Sequence, residues 1–153
     1  MKLDAIDKKL LHFLQQDAKQ TNKELSSKLN LSVTAVYERI KKLERNGIVK
    51  SYVALLDKKQ LDFGFLVFCH VKLNQHTEAN IIEFETEVSV LNEVLECFHV
   101  SGDYDYLLKV VVKDMDDFRI FMINKLTSLK HIGSTQSSFS INEVKNTTSI
   151  TIE

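Results

Sequence analysis

Proline and tryptophan are absent from the 153 residues, and glycine occurs only four times. Without proline there is no rigid extended spacer, and with so little glycine no flexible one, so a long linker between domains is excluded. The two cysteines, Cys69 and Cys97, form no close-spaced pair, which removes zinc-ribbon and redox motifs. No metal or other cofactor is expected. The longest apolar run, from Phe63 to Cys69, is interrupted by Gly64 and is far too short to span a membrane. At the N-terminus, MKLDAIDKKL carries charge where a signal peptide needs its apolar core. The expected setting is a reducing cytoplasm, with both thiols acting as small core hydrophobes.

What is present is a globular composition, 44% apolar and 27% charged, with an uneven distribution of charge. Residues 1–60 hold 13 Lys+Arg against 7 Asp+Glu, a net of +6, whereas residues 61–153 hold 7 against 14, a net of −7. A basic nucleic-acid module joined to an acidic module with a different task would show this asymmetry.

Apolar residues at 3, 6, 10, 11, 13 and 14 fall at helical spacing, with Asp4 and Asp7 near the start, where the helix dipole favours acids. After DAKQTN (17–22) a second, shorter helix is expected from Asn22, read as its N-cap, to Leu29. Asn30 suits a left-handed exit, Ser32 can cap a third helix, and Gly47 stops it. Two short helices joined by a tight turn and packed on an earlier one describe a helix-turn-helix. The third helix turns Leu31, Val36, Ile40 and Leu43 toward a core and leaves Thr34, Tyr37, Glu38, Lys41, Lys42 and Arg45 facing elsewhere. A solvated amphipathic helix would show the same pattern, but the basic surroundings favour double-stranded DNA. At 1.5 Å per residue, positions 33–45 span about 20 Å, enough to cross a major groove about 12 Å wide.

On that helix Ser32, with the amides that open it, suits a phosphate. Lys41, Lys42 and Arg45 suit the DNA backbone, whereas Thr34, Tyr37 and Glu38 are placed for base edges. Arg39 fits either of two roles, pairing with the body of the head or with phosphate. Val33 could touch a thymine methyl or complete the core.

IVKSYVALL (48–56) is β-branched and aromatic and reads as a strand leaving the head, followed by the charged connector DKKQLD (57–62). The domain reading is therefore 1–47 helix-turn-helix, 48–62 connecting strand and linker, and 63–153 body. In the body, FLVFCHVKL (65–73), VLECFHV (94–100), YLLKVVV (106–112) and TQSSFSINEV (135–144) read as strands. A helix from Thr77 to Val88 and another opened by Asp114, with apolar residues from Met115 to Leu129, separate them. The order βαββαβ is ferredoxin-like, giving an α+β protein with a three-helix, winged-type head. That strand order places the third strand between the first two, so Cys69 and Cys97 would lie about 9–10 Å apart, beyond disulfide reach. Strands 65–73 and 106–112 are apolar on both sides, yet the fold covers one face only. A second copy of the chain would cover the other, so a two-fold homodimer is expected through this half.

LDAIDKKLLHFLQQDAKQTNKELSSKLNLSVTAVYERIKKLERNGIVKSYVALLD resembles the head of the Lrp/AsnC family of transcriptional regulators almost position by position. SGDYDYLLKV followed by DMDDF resembles the centre of that family's effector domain, and EVK (143–145) its closing strand. The resemblance implies a one-component regulator in which a DNA-binding head is joined to a body sensing a small molecule, usually an amino acid. It also implies that dimers assemble into tetramers or octamers. By the same resemblance the effector would lie at Gly102, Asp103, Tyr104 and Asp105, flanked by Phe98 and Met115, with Thr135, Ser137, Ser138, Phe139 and Ser140 from the closing strand. The chemistry agrees in part: Gly102 permits close backbone approach, Thr135 and Ser137 offer hydroxyls for a carboxylate, and Asp103 or Asp105 can meet an ammonium, Asp105 being the first choice. The family's usual prolines are missing, with LSVTA, LDKKQ and LKHIG in their places; looser turns are the expected consequence.

An enzyme is not expected: the five histidines are scattered, and no nucleophile motif or phosphate loop is visible. Alternatives are a decarboxylase of the tetrapyrrole type, which shares this two-part build, or a ligand sensor that does not bind DNA.

Overall fold

The computed structural model describes residues 2–152. It divides into two compact units, one made of the chain up to Leu55 together with the segment from Lys145 onward, the other of Leu56–Val144.

In the first unit, local chemistry starts and stops every helix. Helix α1 (Ala5–Gln16) opens on Asp4, whose side chain accepts the Asp7 amide while Asp7 accepts the Asp4 amide in return. Helix α2 (Asn22–Leu29) has Thr21 rather than Asn22 as its N-cap, because Glu24 can close the same reciprocal box only with the residue three before it. Asn30 takes φ 53° and ψ 47°, the left-handed conformation that turns the chain sharply into α3 (Val33–Arg45). Ser32 caps α3 as expected, and Gly47, at φ 68°, follows its C-terminus. Leu10, Leu11, Leu25, Val36 and Leu43 form the buried core of this unit.

The strand expected over residues 48–56 is not formed. Ile48 and Val49 donate their amides to the Leu43 carbonyl at 3.0 and 3.3 Å, closing the end of α3. Beyond them Tyr52, Val53, Leu55 and Leu56 are exposed, since a strand-like sequence without a ladder partner remains irregular. The C-terminal segment, read from sequence as part of the body, instead packs on α1. The Gln15 amide donates to the Ile150 carbonyl at 3.0 Å and accepts the Ile150 N–H at 2.7 Å, while Ile152 leans on the helical core.

The second unit runs, after a short 3₁₀ turn (Lys59–Leu61), as β1 (Phe65–Leu73), α4 (Glu78–Ser89), β2 (Val94–His99), β3 (Tyr106–Val112), α5 (Met115–Asn124) and β4 (Ile132–Phe139). Its antiparallel sheet has the order β2-β3-β1-β4, the ferredoxin-like arrangement. Val67, Cys69, Val71, Leu108 and Val110 on one face pack with Phe84 and Val88 of α4 and Phe118 and Phe121 of α5. The opposite face presents Leu66, Phe68, His70, Leu107 and Phe98, with a Lys109–Glu96 ion pair beside them.

Three details depart from the sequence reading. Helix α5 stops at Asn124 and a 3₁₀ turn (Leu126–Ser128) follows, rather than one helix reaching Leu129. Strand β4 begins earlier and ends at Phe139, because its partner β1 starts at Phe65 and offers no further ladder once Ser140 has donated to the Leu66 carbonyl. Cys97 is exposed on the edge strand rather than in the core, while Cys69 is buried, and both are free thiols. Desolvation of its sulfur, with Glu85 nearby, pushes the Cys97 thiol up to about 11, so it stays protonated at neutral pH.

Candidate nucleic-acid interface and effector strand

With Val36 and Leu43 buried, the side chains of α3 that remain at the surface form one continuous band. Thr34, Tyr37, Glu38, Lys41 and Arg45 recur at three- and four-residue intervals along it, Lys42 lies beside them, and all are exposed. Ser32 uses its hydroxyl to cap the helix at the Ala35 amide, at 3.1 Å, and remains exposed at the positive end of the helix dipole. Val33 stands 47% exposed and so does not complete the core.

The cations in the band are not equivalent. Lys41 pairs with Glu44 at 2.8 Å, and its ammonium lies 5.8 Å from the Tyr37 ring centre. Glu44 raises the Lys41 pKa above its ordinary value, and Lys41 in turn lowers that of Glu44, which also accepts the Tyr52 hydroxyl at 3.1 Å. Lys42 and Arg45 make no ion pair among the described residues, so their charge is directed outward. Arg39 points the other way, into the head, where it meets Asp4 and Asp7. Such a convex helix, with polar tips on one side and the Lys42 and Arg45 cations toward its end, can lie along a polyanionic groove.

In the body, the loop between β2 and β3 carries Gly102 at φ 129°, a conformation that L side chains rarely adopt, so the glycine is required there. Asp103 is exposed. Asp105 is already engaged: one carboxylate oxygen accepts the Leu73 amide at 2.8 Å and the other meets His76 Nε2 at 2.8 Å. Burial works to raise its pKa, but the Leu73 amide and His76 outweigh that, and the carboxyl titrates below its ordinary range. Tyr104 donates its hydroxyl to Gln136 Oε1 at 2.7 Å, and its ring lies 5.3 Å from that of His70.

The closing-strand residues do not gather on one side. Strand alternation puts Thr135, Ser137 and Phe139 on the helix-covered face, where the Ser137 hydroxyl lies 3.7 Å from Cys69 Sγ and Phe139 packs edge-on against Phe118. Ser138 lies on the open face in line with Gln136, the face that also carries Phe98 and Tyr104's partners. Met115 is exposed at the start of α5, and Ser140 lines a groove with Phe63, Gly64 and Leu66. Two neighbours escaped the sequence reading: Gln136, which the period of two would have placed beside Ser138, and His76, whose contact with Asp105 has no sequence signal. Among the described residues no group of three His, Cys, Asp or Glu side chains could hold a metal ion, and no helix is long and apolar enough to cross a membrane.

Two family models match the chain: Lrp/AsnC ligand binding domain over residues 66–150, and Winged helix-turn-helix DNA-binding over residues 3–50. The leucine-responsive regulatory protein of Escherichia coli K12 is 39% identical over 151 residues, covering 99% of this chain and 92% of that one. A Neisseria meningitidis transcriptional regulator, solved as a complex with L-Met, is similar with TM-score 0.92 and 37% identity, over 97% of this chain and 96% of that one. An AsnC family transcriptional regulator from Agrobacterium tumefaciens is similar with TM-score 0.88 and 35% identity, over 97% and 96% of the respective chains.

Proposed function

Because the chain belongs to the Lrp/AsnC family of transcriptional regulators, we propose that it reads duplex DNA with α3 and adjusts that binding to an amino acid or related small effector. The observation that carries the first part is the exposed band Thr34–Tyr37–Glu38–Lys41–Arg45 opposite the buried Val36 and Leu43. In this reading Thr34, Tyr37, Glu38 and Val33 meet base edges. The backbone is held by Ser32, the α3 amides, Lys42, Arg45 and the part of Lys41's charge that Glu44 leaves free. Arg39 takes the first of its two expected roles, within the head.

The effector part rests on the ligand-binding domain match and on the Neisseria relative's complex with L-Met. Asp105 has structural duties to Leu73 and His76, so the exposed Asp103 is the better partner for an effector's ammonium. Gly102 and the Tyr104–Gln136–Ser138 line would supply polar contacts to the carboxylate end. The partly apolar open face of the sheet supports a two-fold homodimer through the body, and dimers would assemble further into a tetramer or octamer.

The test is direct. Anisotropy titrations on a duplex enriched from a random pool should give a steep salt dependence. Lys42→Ala with Arg45→Ala should flatten it by roughly two phosphate contacts. An unchanged slope would remove α3 from the interface. For the effector, a thermal-shift screen of amino acids should raise the melting temperature with at least one of them, since a ligand for the native state stabilises it by mass action.

A further inference from the structure

One guanidinium ties the proposed reading helix to the start of the chain. Arg39 Nη1 on α3 lies 2.7 Å from Asp4 Oδ2 and 2.6 Å from Asp7 Oδ1. The same two carboxylates use their other oxygens to cap α1: Asp4 Oδ1 accepts the Asp7 amide at 2.7 Å, and Asp7 Oδ2 accepts the Asp4 amide at 3.2 Å. Asp7 is 1% exposed, beneath an Arg39 side chain that is itself 26% exposed. A carboxylate this deeply buried persists only when a cation and hydrogen bonds compensate it, so the three side chains act together. The apolar contacts of Val36, Ile40 and Leu43 hold α3 against the core, and the hydrophobic effect behind them is itself non-directional. The ion triad is directional, and Arg39 sits between the buried stripe and the exposed band.

We propose that Asp4, Asp7 and Arg39 are positioning residues that fix the rotation of α3 and thereby set base discrimination, while Arg39 contributes no phosphate contact. The inference rests on α3 being the DNA-reading helix. Its consequence runs against simple electrostatics. Removing a carboxylate from a DNA-binding head ordinarily tightens binding to any duplex; here it should weaken binding to the preferred one.

Full-length protein is titrated by anisotropy against the duplex enriched by the wild type and against a scrambled duplex, each at two salt concentrations. Asp4→Ser keeps an N-cap hydroxyl and removes the Arg39 contact at a half-exposed position, so the head stays folded. Arg39→Met and Asp7→Asn complete the set, with circular dichroism confirming helix content. The expected result is about a 10-fold loss on the enriched duplex for Asp4→Ser with equal or tighter binding to the scrambled one. Arg39→Met should lower the enriched-to-scrambled ratio at an unchanged salt slope. The proposal is overturned if Asp4→Ser tightens both duplexes equally, or if Arg39→Met flattens the slope and leaves the ratio intact. A wild type that prefers no duplex would instead sink the reading of α3 itself, a separate and recognisable outcome.

Discussion

The head and the body leave opposite kinds of surface uncovered. On the head, the apolar side of α3 is buried in a small core and what remains outside is a polar band ending in Lys42 and Arg45. On the body, one sheet face is sealed by α4 and α5, and what remains outside is Leu66, Phe68, Leu107 and Phe98. A polar helix face suits a charged groove, and a partly apolar sheet face suits burial against another surface. The division of labour proposed for the chain rests on which surface each unit leaves open. Charge follows the same division, basic in the first 60 residues and acidic afterward.

The contrast can be broken from either side. The largest effect should come from Leu25→Ala, which opens a cavity in the five-residue core of the head at a cost of roughly 2–5 kcal/mol. The expected result by calorimetry is a separate early transition for the head and loss of DNA binding, with the body's transition unmoved. A single shifted transition would mean that the two units do not fold separately. Next comes Leu107→Asp on the open sheet face. It should abolish dimers in sedimentation at micromolar concentration and weaken binding to a two-half-site duplex about 100-fold, because the second head no longer binds intramolecularly.

A smaller loss is expected on ending the chain after Val144. The Gln15–Ile150 pair and the packing of Ile152 disappear, and the head should lose about 1–2 kcal/mol, read as a lower first transition. The smallest effect concerns acid. Asp4 titrates below its ordinary value, the Asp7 amide being the larger cause and Arg39 the next. A carboxyl lowered on folding stabilises the head fully above its unfolded pKa, near 3.9, and that share is lost as pH falls through the lower folded value. Asp4→Ser should therefore flatten the decline of the first transition below about pH 4, and an unaltered decline would place the acid sensitivity elsewhere.

Most of the head was legible because its determinants are local. Asp4, Ser32, Asn30 and Gly47 each act within four residues, and the one misplaced cap, Asn22 for Thr21, is a shift that the Glu24 partner resolves. Strand order and the single covered face also followed from pattern, since alternation and element order constrain them. What escaped was set by distant partners. Residues 48–56 look like a strand but find no ladder, β4 ends where β1 runs out, and Gln15 meets Ile150 across 135 positions. The candidate effector strand carried an available warning: Ser137, Ser138, Phe139 and Ser140 are consecutive, and consecutive strand residues cannot all line one site. Asp105 shows the opposite limit, because nothing in the loop's sequence announces that Leu73 and His76 already occupy its carboxylate.

If the body holds two copies together, two α3 helices enter grooves of one duplex, and hydroxyl-radical footprinting on an enriched duplex tests both at once. Two protected half-sites related by an approximate dyad, centred about 10–10.5 base pairs apart or at a multiple of that spacing, are the predicted result. One isolated patch of protection, or protection without helical phasing, would contradict it.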